Sequence, residues 1–266
     1  MTLIDELGAS LELPRTPMQI VSLVPSLTET LWWFGLADRL VGVTDFCVAP
    51  PDAFRRAQRV RGTKNPDVDA IVDLRPDLVV ANEEENRELD VARLREAGVP
   101  VYVTAPRTVE GAADTLADLG RVVGAGKQGS GLRTDVLRAR EAAVALAPSR
   151  PLRTFCPIWR DPWLATGRDT YAADLLATCG YAVVPDRADG RYPKVELAAI
   201  RELNPEVVLL PDEPYAFGQA DREAFADWVA RVRLLDGTQL TWYGPRTPYA
   251  LKELARQAVT IARRRQ

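Results

Sequence analysis

The chain has 266 residues, 47% of them hydrophobic and 27% charged, with a net charge of −3. It is long enough for one large core or two modest ones, and it has no basic tract with which to hold a nucleic acid. It contains no histidine, which excludes imidazole general bases, His-based triads, HExxH zinc sites and axial His ligation of haem or cobalt.

The opening stretch, MTLIDELGASLELPRTPMQ, is acidic at its start and has no apolar h-region, so it does not read as a signal peptide. Cys47, Cys156 and Cys179 are odd in number, far apart and outside any CxxC pattern. Reduced, partly buried thiols and a cytoplasmic location are therefore expected. No apolar run approaches the roughly 18 residues of a membrane span, so no membrane insertion is expected.

IVSLVP (20–25) reads as a buried strand. Ser26-Leu-Thr-Glu29 has the spacing of a capping box and opens a helix that stops at Gly35. Trp32 and Trp33 fall inside that helix and read as packing residues. RLVGVTDF (39–46) is a second strand. Asn65-Pro66-Asp67 reads as an N-cap with proline in the first turn of a helix reaching about Leu74. PDLVVA (76–81) is a strand, RELDVARLREAG (87–98) an amphipathic helix with a glycine stop, and VPVYVT (99–104) another strand. Helices follow at 108–123 and 127–147, the second with a stripe of Leu132, Val136, Leu137 and Val144. The pattern then restarts with strand RTFCPIW, a helix capped by Thr170 and strand YAVVP. AIVDLRPDLVV (70–80) returns as AIRELNPEVVLL (199–210). Strand–helix alternation predicts parallel α/β sheets, and the echo predicts two similar lobes. The expected organisation is an N-terminal α/β lobe (1–125), a connecting helix (126–148) and a C-terminal α/β lobe (149–266).

GAGKQG (124–129) fits G-x-G-x-x-G, but it follows a helical pattern rather than a strand. It reads as a turn between helices, not a dinucleotide site. In open α/β sheets, ligands gather beyond the carboxyl ends of the strands. In the first lobe those ends offer Ser26 and Thr28, then Asp45 and Phe46, Lys64 and Asn65, and Glu84 and Asn86 within EEEN. A solvated helix start is the alternative to a ligand role for the three glutamates, although three acids are more than a cap needs. In the second lobe PIWRDPW (157–163) supplies Trp159, Arg160, Asp161 and Trp163. Tyr192 and Lys194 follow, then Glu213 and Tyr215, and WYGPR (242–246) adds Trp242, Tyr243 and Arg246. Two aromatic–arginine loops suit a flat, partly apolar ligand gripped by stacking. The plainer alternative for WRDPW is a packing corner with Arg160 paired to Asp161. Strand alternation sets Trp159 and Asp161 on one side and Arg160 on the other, which makes Trp159 the candidate stacking face.

IVSLVPSLTETL, then GL-x-DRLVGVTDFC, then RV-x-GTKNPDVDAIVDLRPDLVVAN resembles the helical-backbone (class III) substrate-binding proteins, in their cobalamin and ferric-siderophore branch. The likeness extends over about residues 18–246. It implies two Rossmann-like lobes joined by a rigid helix, with a cleft between them that binds a metal chelate without catalysis. No resident cofactor or protein-held metal is implied, since a corrinoid or iron chelate brings its own ligands. The implied partners are that chelate and an ABC transporter permease. A carboxylate-dependent hydrolase using Asp45 with a glutamate of 83–85 is the alternative from another class.

Overall fold

Two parallel sheets, one in each half of the chain, organise this computed structural model, which describes residues 2–51, 53–186, 190–228 and 230–263. The chain divides into two compact units, Met1–Pro106 with Ala113–Thr134 and Arg107–Ala112 with Asp135–Gln266.

The first unit opens with an antiparallel hairpin of β1 (Thr2–Ile4) and β2 (Ser10–Glu12). Then come β3 (Ile20–Ser22), α1 (Pro25–Trp33), β4 (Leu40–Val43) and the short strands β5 (Gln58–Arg59), β6 (Arg61–Gly62) and β7 (Asn65–Pro66). α2 (Val68–Asp73), β8 (Leu78–Asn82), α3 (Glu88–Glu96) and β9 (Val101–Thr104) complete the alternation. The parallel sheet runs β5-β4-β3-β8-β9. All of β8 is buried, as a parallel strand covered on both faces requires. Val21, Leu23, Val79, Leu94 and Val101 share the core beneath it.

α4 (Val109–Val122) and α5 (Gly126–Leu146) follow; the head of α4 counts with the second unit, and the last change of unit falls within α5, after Thr134. Gly124 and Ala125 of GAGKQG lie in the turn between them, and its last four residues are the first turn of α5. Gly124 has φ +76°, the left-handed residue that ends a helix, and a Cβ on Gly120 would lie 2.8 Å from the Cα of Gly129. Those glycines serve close helix packing. The stripe on α5 holds for Leu132 and Val136, whereas Val144 is 53% exposed.

The second unit contains β10 (Leu152–Phe155), the antiparallel pair β11 (Pro157–Trp159) and β12 (Leu164–Ala165), α6 (Tyr171–Thr178), β13 (Tyr181–Val183), α7 (Leu197–Glu202) and β14 (Val207–Pro211). A 3-10 helix (Gln219–Phe225), β15 (Arg231–Leu235), α8 (Thr238–Thr241) and α9 (Thr247–Arg263) close it. Its parallel sheet runs β13-β10-β14-β15. Thr170 caps α6, its hydroxyl accepting from the Ala173 N–H.

The echoed segments have the same build in both units. Arg75 and Asn204, each directly before a proline, both adopt φ +49°. The acid after each proline then ties two strand starts together. Asp77 accepts from the Gln19 N–H through Oδ2 while its own N–H donates to the Gln19 carbonyl. Glu206 accepts from the Arg153 N–H through Oε2 and donates its N–H to the Arg153 carbonyl. The Leu-x-Pro-acid signature is thus a helix stop followed by a strand-aligning clamp.

Three local expectations fail. The N-cap of α1 is Val24, with no side-chain bond, because Pro25 at the first helical position already has the required φ. Ser26 is therefore the second helical residue rather than the cap, and no capping box forms. Asn65 and Pro66 belong to β7 rather than to a helix start. Asp67 is the cap of α2, accepting from the Ala70 N–H. Trp32 and Trp33 are each 40% exposed, since the helical period turns Leu27, Leu31 and Phe34 inward instead.

Candidate functional site

Each unit presents its own set of loops beyond the carboxyl ends of its sheet. In the second unit, β10 leads through buried Cys156 into the β11–β12 hairpin. Residues Arg191–Val195 run beside that hairpin. Ala165 N–H donates to the Pro193 carbonyl, Val195 N–H donates to the Trp163 carbonyl, and Leu164 and Lys194 form an antiparallel bridge. This leaves Tyr192 and Lys194 exposed on the hairpin's flank.

Trp159 stands 43% exposed at the outer end of a column of rings. Its ring meets Tyr215 edge-on at 5.6 Å, and Tyr215 lies 4.5 Å from Phe217. Phe217 stacks on Trp163 at 5.8 Å with 8° between the planes. Trp163 meets Phe225 at 5.7 Å, and Phe225 meets core Phe155 at 6.1 Å. Edge-to-face and offset contacts of this kind are favoured by the ring quadrupole and are worth about 0.5–1.5 kcal/mol each beyond burial. Trp159 is therefore an exposed ring on a braced base. Phe217 was not singled out from sequence, although its spacing of two from Tyr215 is the signal that would have found it.

Arg160 does not stand free for a ligand. Its Nη1 donates to Asp221 Oδ1 at 2.6 Å, its Nε lies 3.6 Å from Asp161 Oδ2, and its guanidinium is 5.6 Å from the Trp163 ring centre. The bond from Asp221 pushes the Arg160 pKa up. Burial alone would raise Asp221, but the Gly218 N–H and Arg160 hold its carboxyl below the usual carboxylate range. The expected Arg160–Asp161 pair is the weaker of the two, because the Asp161 side chain is 85% exposed.

The WYGPR loop is mostly interior. Trp242 is 8% exposed, and its indole N–H donates to Glu213 Oε1 at 2.7 Å, which also accepts from the Thr241 hydroxyl. Tyr243 is 5% exposed and packs edge-on against Tyr171, so it belongs to the core rather than to the face. Arg246 lies half-buried with its guanidinium 4.7 Å from the Trp242 ring centre and donates to the Thr238 hydroxyl.

The first unit's loops are built differently. Asp45 and Phe46 are exposed after β4, Phe46 to 60%, and Val48, which sequence reasoning passed over, is exposed to 63% beside them. Lys64 and Asn65 are exposed at the β6–β7 turn, and the Lys64 ammonium donates to the Glu84 carbonyl. Glu84 is half-buried. Ser26 and Thr28 are interior at 3% and 0% exposed, and the Thr28 hydroxyl donates to Ser22 Oγ and the Val24 carbonyl. Asn86 is also interior. It accepts from the Asn82 N–H and donates to the Thr63 carbonyl at 2.9 Å. Asn82 Oδ1 in turn accepts from the Glu84 and Glu85 N–H groups. The two asparagines thus shape the loop that the glutamates decorate.

Among the described residues, no group of three or more Cys, Asp or Glu is placed to hold a metal ion. The thiols are buried, which pushes Cys47 up and Cys156 and Cys179 up to about 12.

Two parallel α/β units, one after the other in the chain, are the setting for a family match. The profile of the periplasmic binding protein family matches residues 20–239, and the chain belongs to that family. The vitamin B12-binding protein of Vibrio cholerae is 24% identical, over 90% of this chain and 87% of its own length. The uncharacterized ABC transporter substrate-binding lipoprotein YvrC of Bacillus subtilis is 27% identical, over 96% of this chain and 84% of its own. Among solved structures, the periplasmic heme-binding protein RhuT of Roseiflexus sp. RS-1 matches with a TM-score of 0.80 at 25% identity, covering 92% of this chain and 98% of that one. The expected cytoplasmic location is overturned by this periplasmic family and by the lipoprotein relative, which place such proteins outside the cytoplasm. The acidic opening residues that suggested otherwise belong to the folded β1–β2 hairpin. Glu6 N–H, for instance, donates to the Val103 carbonyl, so these residues report on packing rather than on address.

Proposed function

We propose that this chain is a non-enzymatic substrate-binding protein that holds a bulky metal chelate of the corrinoid class and delivers it to an ABC importer. The observation that carries this reading is Trp159, a large apolar ring left 43% exposed yet fixed edge-on against Tyr215. An exposed aromatic braced by a rigid column loses little freedom on contact, so the stacking energy goes into affinity. The absence of histidine favours a ligand whose metal is already fully ligated. The vitamin B12-binding relative supports a corrinoid, and the ABC transporter lipoprotein supports delivery to a permease. Exposed Asp45, Phe46 and Lys64 of the first unit, with Tyr192, Lys194 and Arg246 of the second, are the remaining candidate contacts.

The heme-binding structural relative supports a second reading, a haem ligand. Titration with cyanocobalamin and with hemin, followed by tryptophan fluorescence and calorimetry, tests both. Saturable 1:1 binding of cyanocobalamin at micromolar concentration or below is expected. Binding of hemin alone moves the ligand to the second reading, and binding of neither overturns both.

A further inference from the structure

The hairpin that carries Trp159 makes a charged bond to a distant element. Its turn passes through Asp161 at φ +61°, a left-handed conformation that a non-glycine residue adopts at a cost. One residue earlier, Arg160 reaches across to Asp221 of the 3-10 helix at 2.6 Å. Asp221 is itself fixed, because its Oδ2 accepts from the Gly218 N–H at 2.8 Å and it is only 8% exposed. Arg160 also lies over Trp163, whose ring is stacked on Phe217. Arg160 directly follows Trp159, just past the end of β11, so whatever anchors Arg160 constrains the backbone that carries Trp159.

We propose that Asp221 is a positioning residue of the ligand face: through Arg160 it latches the β11–β12 hairpin and fixes the outward pose of Trp159. The ligand part of this statement rests on the proposed function, whereas the latch itself does not. Without the latch the strained turn relaxes, the contact between Trp159 and Tyr215 loosens, and the ring must be ordered again on binding.

The test uses the full chain labelled with 5-fluorotryptophan, whose 6 tryptophans give separate 19F lines. Trp159→Phe identifies the Trp159 line. In Asp221→Asn that line is expected to shift and broaden, while the lines of Trp32 and Trp33 in the first unit stay in place. Arg160→Gln is expected to act alike, and the double variant to do no more than either alone, as members of one coupled pair should. With cyanocobalamin and hemin as probes, affinity is expected to fall about three- to tenfold, the cost of ordering one more side chain.

An unmoved Trp159 line in both single variants overturns the latch. If Asp221→Asn fails to fold and all lines collapse, Arg160→Gln decides, because Arg160 lies at the surface end of the bond. If wild type binds neither probe, the ligand reading fails while the Trp159 line still judges the latch.

Discussion

The two units share a sheet plan but finish it in opposite ways. β4-β3-β8-β9 in the first corresponds to β13-β10-β14-β15 in the second, and the strand after each Leu-x-Pro-acid turn lies inside its sheet. Beyond the strand ends, the first unit shapes its loops with buried amides, Asn82 and Asn86, and leaves Asp45, Phe46, Val48 and Lys64 outside without a ring column beneath them. The second shapes its loops with stacked rings and leaves a tryptophan outside. Amide networks fix a backbone without offering apolar area, whereas ring columns do both. Binding energy should therefore concentrate in the second unit and loop rigidity in both.

Trp159→Ala breaks the comparison most severely. A central aromatic anchor is worth roughly 2 kcal/mol or more, so affinity for the bound chelate should fall at least about thirtyfold. Thermal stability should hardly change, because the ring is 43% exposed. Calorimetric titration beside a melting curve measures both. Normal affinity with a large loss of stability would make the hairpin a packing corner.

Asn86→Ala asks the converse question of the first unit. It removes buried bonds to the Thr63 carbonyl and the Asn82 N–H, and should cost about 1–3 kcal/mol of stability. Phe46→Ala, at a side chain 60% exposed, should change stability by less than about 0.5 kcal/mol. Chemical denaturation of the two variants gives the ratio. Equal effects would mean that the first unit's loops are not organised by their amides.

The parallel clamps sharpen the likeness rather than the difference. Asp77→Ala and Glu206→Ala each delete an acceptor for a strand-start N–H, at about 1 kcal/mol apiece. Because the residues lie in different units, the double variant should show their sum. A clear departure from additivity in denaturant midpoints would show that the clamps do not act locally.

What could be read in advance follows from the range of each interaction. The repeat was legible because Leu-x-Pro-acid is a contiguous signature whose proline stops the helix locally, although the strand start that the acid clamps lies 58 residues away in the first unit and 53 in the second. Strand alternation did not predict the exposure of Trp159, because the β11–β12 pairing shifts register between Pro157 and Trp159 and Pro157, two residues earlier, is buried. The partner of Arg160 was not legible either, since Asp221 lies 61 residues away in sequence and the nearer Asp161 competes for attention. The interior places of Thr28, Asn86, Trp242 and Tyr243 were hidden for the same reason, as polar and aromatic residues after strands look alike whether they cap a loop or face solvent. The capping box at Ser26 misled because Pro25 made a side-chain cap unnecessary.

A further, pH-dependent effect separates charge from shape at Asp77. Its carboxylate accepts from the Met18 and Gln19 N–H groups and from Arg15, and these bonds, that from Met18 foremost, hold its pKa below the ordinary value of 3.8. A depressed folded-state pKa gives stability that is fully present above the unfolded-state value and is lost as pH falls through the folded one. Asp77→Asn keeps the size of the side chain and removes its charge. Wild type should therefore exceed this variant by up to about 1 kcal/mol near pH 7, with the gap closing as pH drops below the usual carboxylate range. Urea midpoints of both proteins from pH 7 to pH 2.5 read the gap directly, and other carboxylates cancel in the difference. A gap that persists at the acid end would assign the clamp to hydrogen-bond geometry alone, and the charge on Asp77 would then have no part in aligning β3.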